Sequence, residues 1–244
     1  MMLRAFITAT AIMTILPVGR FFPNEKDLHR SVDMFAVVGL LLAVIIWGAG
    51  TALAYSLPPV VLAAVMTVIP EFFTKGLHLD GLADTADGFL SSRSRERKLE
   101  IMRDSHTGTM GVAAISALFL IKFACLATMS DIPAAAASMA LIGRCALTFH
   151  IASSKYAAEH GSAAIYFGRI PWLGICLSII IAASAGWMVY GAGIAVWLTG
   201  VAVLLPLLWS MITYRVIGGA TGDTIGCCEE LSEAAALLVL AALL

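Results

Sequence analysis

The residues of this sequence best suited to chemistry are three aspartates, Asp80, Asp84 and Asp87, which recur at i, i+4 and i+7. In a helix this spacing places the three carboxylates on one face, with neighbours about one turn apart. Like charges at such a spacing destabilise a helix by roughly 0.2–0.5 kcal/mol per pair, so the arrangement calls for a cation. Carboxylate oxygens favour a hard divalent ion, Mg²⁺ or Mn²⁺, over zinc or copper. The spacing therefore predicts a metal site suited to phosphoryl transfer.

His78 begins the same segment and is a candidate for accepting a proton or for hydrogen bonding to phosphate. The competing interpretation of this segment is a solvated acidic helix end. Solvated faces usually mix Lys or Arg among their charges, whereas Leu, Ala and Gly separate the aspartates here. The metal-site interpretation is therefore preferred.

A second polar segment, residues 100–111, leads directly into an apolar stretch. We expect Asp104 to complete the metal shell, while Arg103 and the glycine-rich turn at a helix N-terminus meet phosphate oxygens. Ser105 and His106 are further candidates for substrate binding, and His106 could also transfer a proton.

The third polar segment, residues 218–226, is rich in glycine, which lets a backbone approach a ligand closely. Asp223 is a candidate partner for a metal ion or a ribose hydroxyl, and Thr221 is a candidate for substrate binding. Three glutamates follow this segment: Glu229, Glu230 and Glu233.

Composition indicates a membrane protein. Hydrophobic residues make up 60% and charged residues 13% of the 244 positions, whereas a soluble domain has about 25% charged residues. The formal net charge is -1 and the basic residues form no stripe, so we expect no nucleic-acid partner. The five cysteines include no CxxC motif, and no histidine lies at zinc-finger spacing, so neither a disulfide framework nor a zinc site is indicated.

Three apolar runs predict six membrane spans, because about 20 residues cross the roughly 30 Å of hydrocarbon. A dozen apolar residues after Arg4 predict a short interfacial or partly inserted helix, and residues 234–244 predict a terminal apolar segment too short to cross fully. The expected fold is an all-α membrane helix bundle, formed by residues 1–244 as one domain. The runs are residues 34–70, 110–150 and 170–214, which turn near Pro58, Asp131 and Gly191.

The distribution of basic residues predicts which loops face the cytoplasm. Almost all Lys and Arg lie between the hairpins, and the three opposite turns contain none. The positive-inside rule then places the polar segments, and with them the active site, on the cytoplasmic side. The basic run from Arg93 to Lys98 is expected to face lipid headgroups or solvent. The loops assigned to the cytoplasm are residues 17–33, 71–109, 150–170 and 215–233.

Two basic residues, Lys122 and Arg144, interrupt the second hairpin. Arg144 lies near a helix end, where it could extend to the interface or bind a substrate phosphate. Lys122 lies deeper and could be functional or could pair with an acidic residue of another helix. Both alternatives remain open for each residue.

Taken together, the polar segments resemble those of the cobalamin synthase family, the adenosylcobinamide-GDP ribazoletransferases. The similar motifs are HLDGLADTADG at residues 78–88, EIMRDS at residues 100–105 and TGDTIG at residues 221–226. The resemblance covers essentially the whole chain and implies a multi-pass, Mg²⁺-dependent transferase of the bacterial inner membrane. Its substrates would be adenosylcobinamide-GDP and α-ribazole or α-ribazole 5′-phosphate, and GMP would be released.

The resemblance also implies roles for individual residues. Mg²⁺ on Asp80, Asp84 and Asp87 would neutralise the diphosphate, and His78 or an aspartate free of metal would accept the proton of the ribazole hydroxyl. Lys75 is a departure, because the resemblance leads us to expect a small residue such as Gly shortly before His78.

Two other functions share some of these sequence features. A CDP-alcohol phosphotransferase shares the D-x-x-D-G signature, but its further Ala-Arg pair is replaced here by Phe89-Leu90. An ion-coupled transporter could use Lys122 and the aspartates, although transporters usually hold carboxylates near the bilayer midplane. Membrane lipid is an expected partner, and a homo-oligomer is left open.

Overall fold

The computed structural model describes residues 1–19, 21–158 and 161–244, which form an all-α bundle. Two short 3₁₀ turns, Val32–Met34 and Ser162–Tyr166, accompany the α-helices. In chain order the helices are Met2–Met13 (α1), Glu25–Ser31 (α2), Phe35–Ala54 (α3), Pro59–Thr74 (α4), Leu77–Phe89 (α5), Arg95–Ile101 (α6), Thr109–Thr128 (α7), Ile132–Ser153 (α8), Trp172–Tyr190 (α9), Ala192–Ile217 (α10) and Gly222–Leu243 (α11).

Within the described residues, five helical stretches are long and apolar enough to cross a membrane. They are Glu25–Ala54, which joins α2 to α3, together with α7, α8, α9 and α10. A sixth crossing is obtained when α4 and α5 are counted together, although α5 is bent by 94° from α4. The prediction of an all-α membrane bundle with about six spans is confirmed.

The bend between α4 and α5 is made by two consecutive residues in the left-handed conformation, Lys75 (φ 57°) and Gly76 (φ 65°). The backbone N–H of Gly76 donates to the carbonyl of Glu71 over 2.9 Å and closes the last turn of α4. The left-handed backbone of Lys75 explains why a small residue is expected there, since only glycine adopts it without strain. Because of this bend, α5 does not continue in the direction of α4.

The C-terminal helix α11 corrects two predictions about the end of the chain. It is one continuous helix of 22 residues, which is about 33 Å at 1.5 Å per residue. Residues 234–244 are therefore not a separate short segment, and the predicted loop 215–233 shrinks to residues 218–221. The prediction was wrong because three glutamates interrupt the apolar pattern, and their counter-charges lie on other helices.

Helices α8 and α11 lie at the centre of the bundle. In α8, 94% of the apolar 18-residue stretch that could cross the membrane is buried. Helix α11 buries side chains along most of its length. Alanine is frequent in α8, and its small side chain lets neighbouring helices approach closely. By contrast, only 22% of the corresponding apolar stretch is buried in each of α9 and α10, so these two helices offer large surfaces to lipid.

The N-terminal helix α1 packs one face on the bundle through Ala5, Ala9 and Met13. With 12 residues it is shorter than a span, as predicted. The guanidinium of Arg4 lies 2.7 Å from the carboxylate of Asp27 and ties α1 to α2.

Candidate active site

Helices α5 and α11 cross at glycines, and this crossing brings the first and third polar segments together. A Cβ atom on Gly81 would lie 2.6 Å from the carbonyl oxygen of Asp223, and one on Gly226 would lie 3.0 Å from Cα of His78. A residue with a Cβ atom does not fit at such separations. Glycine at both positions lets the two helix backbones approach each other directly. Asp223 is thereby placed beside the aspartates of α5.

Four carboxylates, which we call the aspartate cluster, lie near one another beside this crossing. Asp84 is the central member, and the groups that act on its charge are Asp80, Asp223 and Asp87. Burial, followed by the repulsion of these three neighbours, raises the pKa of Asp84 to about 7. A bound cation would stabilise the ionised form of these carboxylates.

Asp87 connects α5 to the second polar segment through backbone hydrogen bonds. Its carboxylate oxygens accept from the N–H of Gly108 over 2.7 Å and from the N–H of Gly111 over 2.9 Å. These N–H groups lie at the start of α7, where the positive end of the helix dipole favours a negative charge. Asp87 therefore caps α7 and holds it against α5.

Arg103 is the predicted phosphate-binding residue that the structure brings to the aspartate cluster. Burial raises the pKa of both Asp223 and Tyr156, and the positive charge of Arg103 opposes that rise in each case. A hydrogen bond of 2.9 Å from the backbone N–H of Ala157 to the carbonyl of Ala220 holds the loop after α8 against the loop before α11. Arg103 and Tyr156 therefore border the cluster near the start of α11.

The residues that follow Arg103 do not join the cluster. Asp104 is exposed and accepts a hydrogen bond of 3.0 Å from the backbone N–H of His106, whose ring lies 2.7 Å from the same carboxylate. The hydrogen bond to the His106 ring is the main cause that lowers the pKa of Asp104. Ser105 is exposed as well. The carboxylate that acts on Asp84 from outside α5 is that of Asp223, whereas the sequence predicts Asp104 in this place.

The donor atoms of the cluster fit a hard divalent ion. All four side chains offer carboxylate oxygens, which are the ligands that Mg²⁺ and Mn²⁺ prefer. Among the described residues, no three carboxylates of the cluster have oxygens that all lie within 4.8 Å of one another. One or two carboxylates are enough to bind Mg²⁺, which completes its shell with water and substrate phosphates.

Comparison with known proteins identifies the family. A family model described as cobalamin-5-phosphate synthase matches residues 5–241. The chain belongs to this family. Adenosylcobinamide-GDP ribazoletransferases from Geotalea daltonii and Brevibacillus brevis are 32% and 35% identical to it, over 99% and 98% of this chain and 98% of each relative. The enzyme of the same name from Roseiflexus is 36% identical over 95% of this chain and 87% of the relative. No solved structure matches the chain.

His78, in the first motif of this cobalamin synthase family member, lies on the opposite face of α5 from the aspartates. Two positions separate it from Asp80, which corresponds to about 200° of rotation around the helix. Its side chain is buried, and Nδ1 lies 3.3 Å from Oε2 of Glu229 on α11. This placement indicates that His78 positions α5 on α11, and it offers no described contact with the aspartates for proton transfer.

Arg144 and Lys122 belong to a buried ionic network on the inner side of α11. The guanidinium of Arg144 is 2.5 Å from Oε1 of Glu229 and also pairs with Glu233. Nζ of Lys122 lies 2.6 Å from Oε2 of both Glu230 and Glu233. For Lys122 the structure therefore selects the alternative of pairing with acids on another helix. Arg144 is only 2% exposed, so its predicted contact with a substrate phosphate is not supported by this placement.

A positive side chain already lies among the carboxylates of this network. Glu71, Glu230 and Glu233 are the only described group of three possible ligands whose oxygens lie within 4.8 Å of one another. The ammonium of Lys122 contacts all three, at 3.5 Å from Glu71, and already supplies the positive charge. The network is thus a structural element of the bundle.

Thr221 begins α11 as its N-cap. Its Oγ1 accepts from the N–H of Thr224 over 3.3 Å, and the hydroxyl of Thr224 accepts from the N–H of Thr221 over 2.9 Å, which forms a capping box. The Thr221 hydroxyl also lies 3.2 Å from Oδ2 of Asp223, to which it donates. Thr221, a predicted substrate-binding residue, therefore orients Asp223 and the start of α11.

Two members of the basic run that precedes the second motif have structural partners. Nε of Arg95 donates to the carbonyl of Ile217 over 2.7 Å at the end of α10. Nζ of Lys98 donates to the carbonyls of Phe89 and Ser91, over 2.8 Å and 2.6 Å, at the end of α5. Positive groups at helix C-termini satisfy free carbonyls and favour the dipole. These side chains fasten α6 to the bundle, in addition to any headgroup or solvent contact predicted for the run.

A cavity of about 240 Å³ lies beside the aspartate cluster. Asp80 and Asp223 border it, and side chains of α1, α3, α8 and the turn Ser162–Tyr166 line the rest. A larger open groove of about 880 Å³ lies near Arg4 and contains no member of the cluster. The smaller cavity is therefore the one next to the candidate chemistry.

Sequence reasoning missed several residues of these sites. Glu71 was overlooked because it follows the charge-free run directly, yet the buried Lys122 is a signal that acids must lie on neighbouring helices. Tyr156, Phe35 and Tyr166 carry no such signal, because isolated aromatic residues are common in membrane helices and loops.

Proposed function

We propose that the chain transfers the cobinamide-phosphate group of adenosylcobinamide-GDP to α-ribazole or α-ribazole 5′-phosphate and releases GMP. The observation that carries the proposal is the meeting of the four carboxylates of the aspartate cluster in a member of the cobalamin synthase family. The relatives compared above bear the name of this transferase. In the reaction a ribazole hydroxyl attacks the phosphorus next to cobinamide, a new P–O bond forms, and the P–O bond to GMP breaks.

The aspartate cluster provides the ligands for Mg²⁺, with Mn²⁺ as a close substitute. Asp80, Asp84 and Asp87 would hold the ion, and Asp223 takes the place predicted for Asp104. When bound, the ion neutralises the diphosphate and the charge that develops on the departing GMP. Without a cation, the four carboxylates repel a diphosphate, so substrate binding itself depends on the ion.

The protein's own groups position the two substrates around this cluster. Arg103, which lies near Asp223, has the planar guanidinium that suits phosphate oxygens. The first turn of α7, held by Asp87, presents a helix N-terminus to the same region. Burial raises the pKa of Asp223 to about 6, so this carboxylate, when it is not bound to the ion, is a candidate acceptor for the proton of the attacking hydroxyl.

We place this site on the cytoplasmic side of the bacterial inner membrane. Three of the loops expected to face the cytoplasm contact one another, because Arg95 donates to the carbonyls of Ile217 and Ala157. The turns next to Pro59 and Asp131 line a common groove of their own. A separation of basic loops from uncharged turns supports the orientation expected from the positive-inside rule.

The experiment that tests the proposal uses the purified chain in lipid vesicles with adenosylcobinamide-GDP, α-ribazole and Mg²⁺. We expect a cobalamin product and GMP in equal amounts, and we expect both to disappear with EDTA and to return with Mg²⁺ or Mn²⁺. Asp84→Asn is expected to reduce the rate by more than about 100-fold, which corresponds to roughly 2.7 kcal/mol of transition-state stabilisation.

Glu96→Gln on the surface of α6 is the matched control, because it removes an exposed carboxylate outside the cluster. Full activity of Asp84→Asn would contradict the metal site. Turnover of a CDP-alcohol, with no product from adenosylcobinamide-GDP and α-ribazole, would favour the lipid-headgroup alternative. Ion flux across the vesicles without any product would favour the transporter.

A further inference from the structure

The cavity beside the aspartate cluster has two chemically different ends. Asp80 and Asp223 border the end that adjoins the cluster. Met13, Phe35 and Leu147 line the other part, and they are 2%, 4% and 1% exposed. A ligand that matches both ends needs hydroxyl donors at one side and an apolar body at the other.

Two aromatic rings belong to the apolar part of the cavity wall. The ring centroids of Phe35 and Tyr166 are 6.2 Å apart, and the ring planes meet at 71°. Such an edge-to-face pair can extend to a third ring, because aromatic groups favour stacked or edge contacts with one another. The wall therefore favours a flat aromatic group over a flexible polar one.

The size and charge of the cavity exclude the larger substrate. Pockets for drug-sized ligands measure about 300–1,000 Å³, whereas this cavity of about 240 Å³ accommodates one fused ring system and excludes a corrinoid. No Lys or Arg is found among the described residues that line it. The described lining therefore offers no ammonium or guanidinium group to a phosphate group.

We propose that this cavity binds the aromatic base of the acceptor nucleoside and directs its ribose towards Asp80 and Asp223. The proposal rests on the proposed transferase function, which supplies an acceptor that is a ribonucleoside with a fused aromatic base. In this orientation a ribose hydroxyl donates to a carboxylate where the cavity meets the cluster. Enclosure of the base then holds the attacking hydroxyl near the phosphorus, which raises the rate through positioning.

The acyl chain of a membrane lipid is the competing occupant, because it also matches an apolar lining. A lipid chain makes no use of the two carboxylates, whereas a ribose hydroxyl bonds to them. The aromatic pair and the acidic end together favour the nucleoside.

The first test fills the cavity. Ala163 lines it from the turn Ser162–Tyr166 and is buried, while its neighbour Ala164 is exposed and does not line it. Ala163→Leu is expected to raise both the KM for α-ribazole and its Kd, measured by equilibrium dialysis, by at least about tenfold. The KM for adenosylcobinamide-GDP should not change. Ala164→Leu is the matched control and should leave all three constants unchanged.

Unchanged α-ribazole binding in Ala163→Leu protein that unfolds at the wild-type temperature would overturn the proposal. A second measurement needs no variant. Benzimidazole, a fused aromatic base without ribose, should inhibit the wild-type protein competitively against α-ribazole and not against adenosylcobinamide-GDP. Absence of inhibition, or competition against both substrates, would contradict the proposal that the cavity binds the aromatic base.

Further outcomes separate the proposal from its alternatives. A wild-type KM for α-ribazole that varies with the acyl-chain length of the vesicle lipid, together with an insensitive Ala163→Leu protein, would assign the cavity to lipid. If the wild-type protein makes no cobalamin but binds α-ribazole, and Ala163→Leu abolishes that binding, the transferase function fails and the cavity assignment holds. If the wild-type protein makes cobalamin and Ala163→Leu leaves the α-ribazole kinetics unaltered, the transferase function holds and the cavity assignment fails.

Discussion

Gly81 of α5 lies so close to Asp223 of α11 that a Cβ atom on it would be 2.6 Å from the carbonyl oxygen of Asp223. Backbone atoms cannot move aside as the end of a flexible side chain can, so Gly81→Ala must push the two helices apart. A displacement of about 1 Å in an active site can cost about 100-fold in rate. We therefore expect Gly81→Ala to lower kcat in the vesicle assay by about 10- to 100-fold.

Gly200→Ala is the matched control for this change. Gly200 lies within α10, and a Cβ atom there would meet nothing within 4 Å. The variant should keep its activity and should be as stable as the wild-type protein or more stable by up to about 1 kcal/mol, because alanine favours a helix. Full activity of Gly81→Ala would show that the close approach is not required.

Asp84→Asn is expected to stabilise the fold when no metal is present. Burial, and then repulsion from the other aspartates, raises the pKa of Asp84 to about 7. The pKa of Asp84 in the unfolded chain is about 3.9. Asp84 therefore does not reduce the free energy of unfolding below about pH 4, where it is protonated in both states. It reduces that free energy increasingly between about pH 4 and 7, and by its full amount above about pH 7. In EDTA, Asp84→Asn should therefore unfold at a higher temperature than the wild-type protein at pH 8.

The advantage of Asp84→Asn should shrink as the pH falls from about 7 and vanish near pH 4, as followed by thermal unfolding in detergent. Mg²⁺ should raise the unfolding temperature of the wild-type protein at pH 8 and have little effect on the variant. A lower unfolding temperature for the variant in EDTA at pH 8 would contradict the charge repulsion inferred here.

Asp87→Asn should have the opposite effect on stability. Its carboxylate accepts from the N–H groups of both Gly108 and Gly111. An asparagine has a single acceptor oxygen and no charge, so one N–H loses its partner and the α7 dipole loses its counter-charge. We expect a loss of about 1–2 kcal/mol in the free energy of unfolding. Denaturant unfolding of both asparagine variants at pH 8 in EDTA provides the comparison, and a change of the same sign in the two would be inconsistent with a capping role.

Lys122→Met should be strongly destabilising. It leaves Glu230 and Glu233 buried without the ammonium that now lies 2.6 Å from each. Loss of one partner from a buried ion pair typically costs about 3–5 kcal/mol. The double variant Lys122→Met, Glu230→Gln should regain part of the unfolding temperature and part of the activity. Loss of activity in Lys122→Met without any change in unfolding temperature would instead indicate a direct role in function.

Lys75→Gly should make the bend between α4 and α5 more favourable. Lys75 has a φ of 57°, in the left-handed region where side chains other than glycine cost about 1–2 kcal/mol. The greater freedom of glycine in the unfolded chain offsets part of that gain, so we expect a net stabilisation of about 1 kcal/mol or less. Lys75→Ala, which keeps a Cβ atom, should show no such gain when both variants are compared by thermal unfolding. Equal unfolding temperatures for the two variants would mean that the bend stores no strain.

Much of this protein can be predicted from its sequence, because the relevant signals are local. The length of an apolar run determines whether a helix can cross a membrane, and the spacing of Asp80, Asp84 and Asp87 determines that they share a helix face. The same periodicity places His78 on the opposite face of α5, so its separation from the aspartates could also be predicted from the sequence. The three motifs were enough to indicate the family that the comparisons confirm.

The remaining features depend on which helices pack together, and only the tertiary structure decides that. No local pattern shows that Asp223 comes next to Asp84 while Asp104 remains exposed, because this follows from the glycine crossing of α5 and α11. Likewise, α11 can be a continuous buried helix because Lys122 and Arg144, on α7 and α8, form ion pairs with its glutamates. A buried charge is tolerated when its partner is in place, and that partner can lie more than 100 residues away in the sequence, as for Lys122 and Glu230.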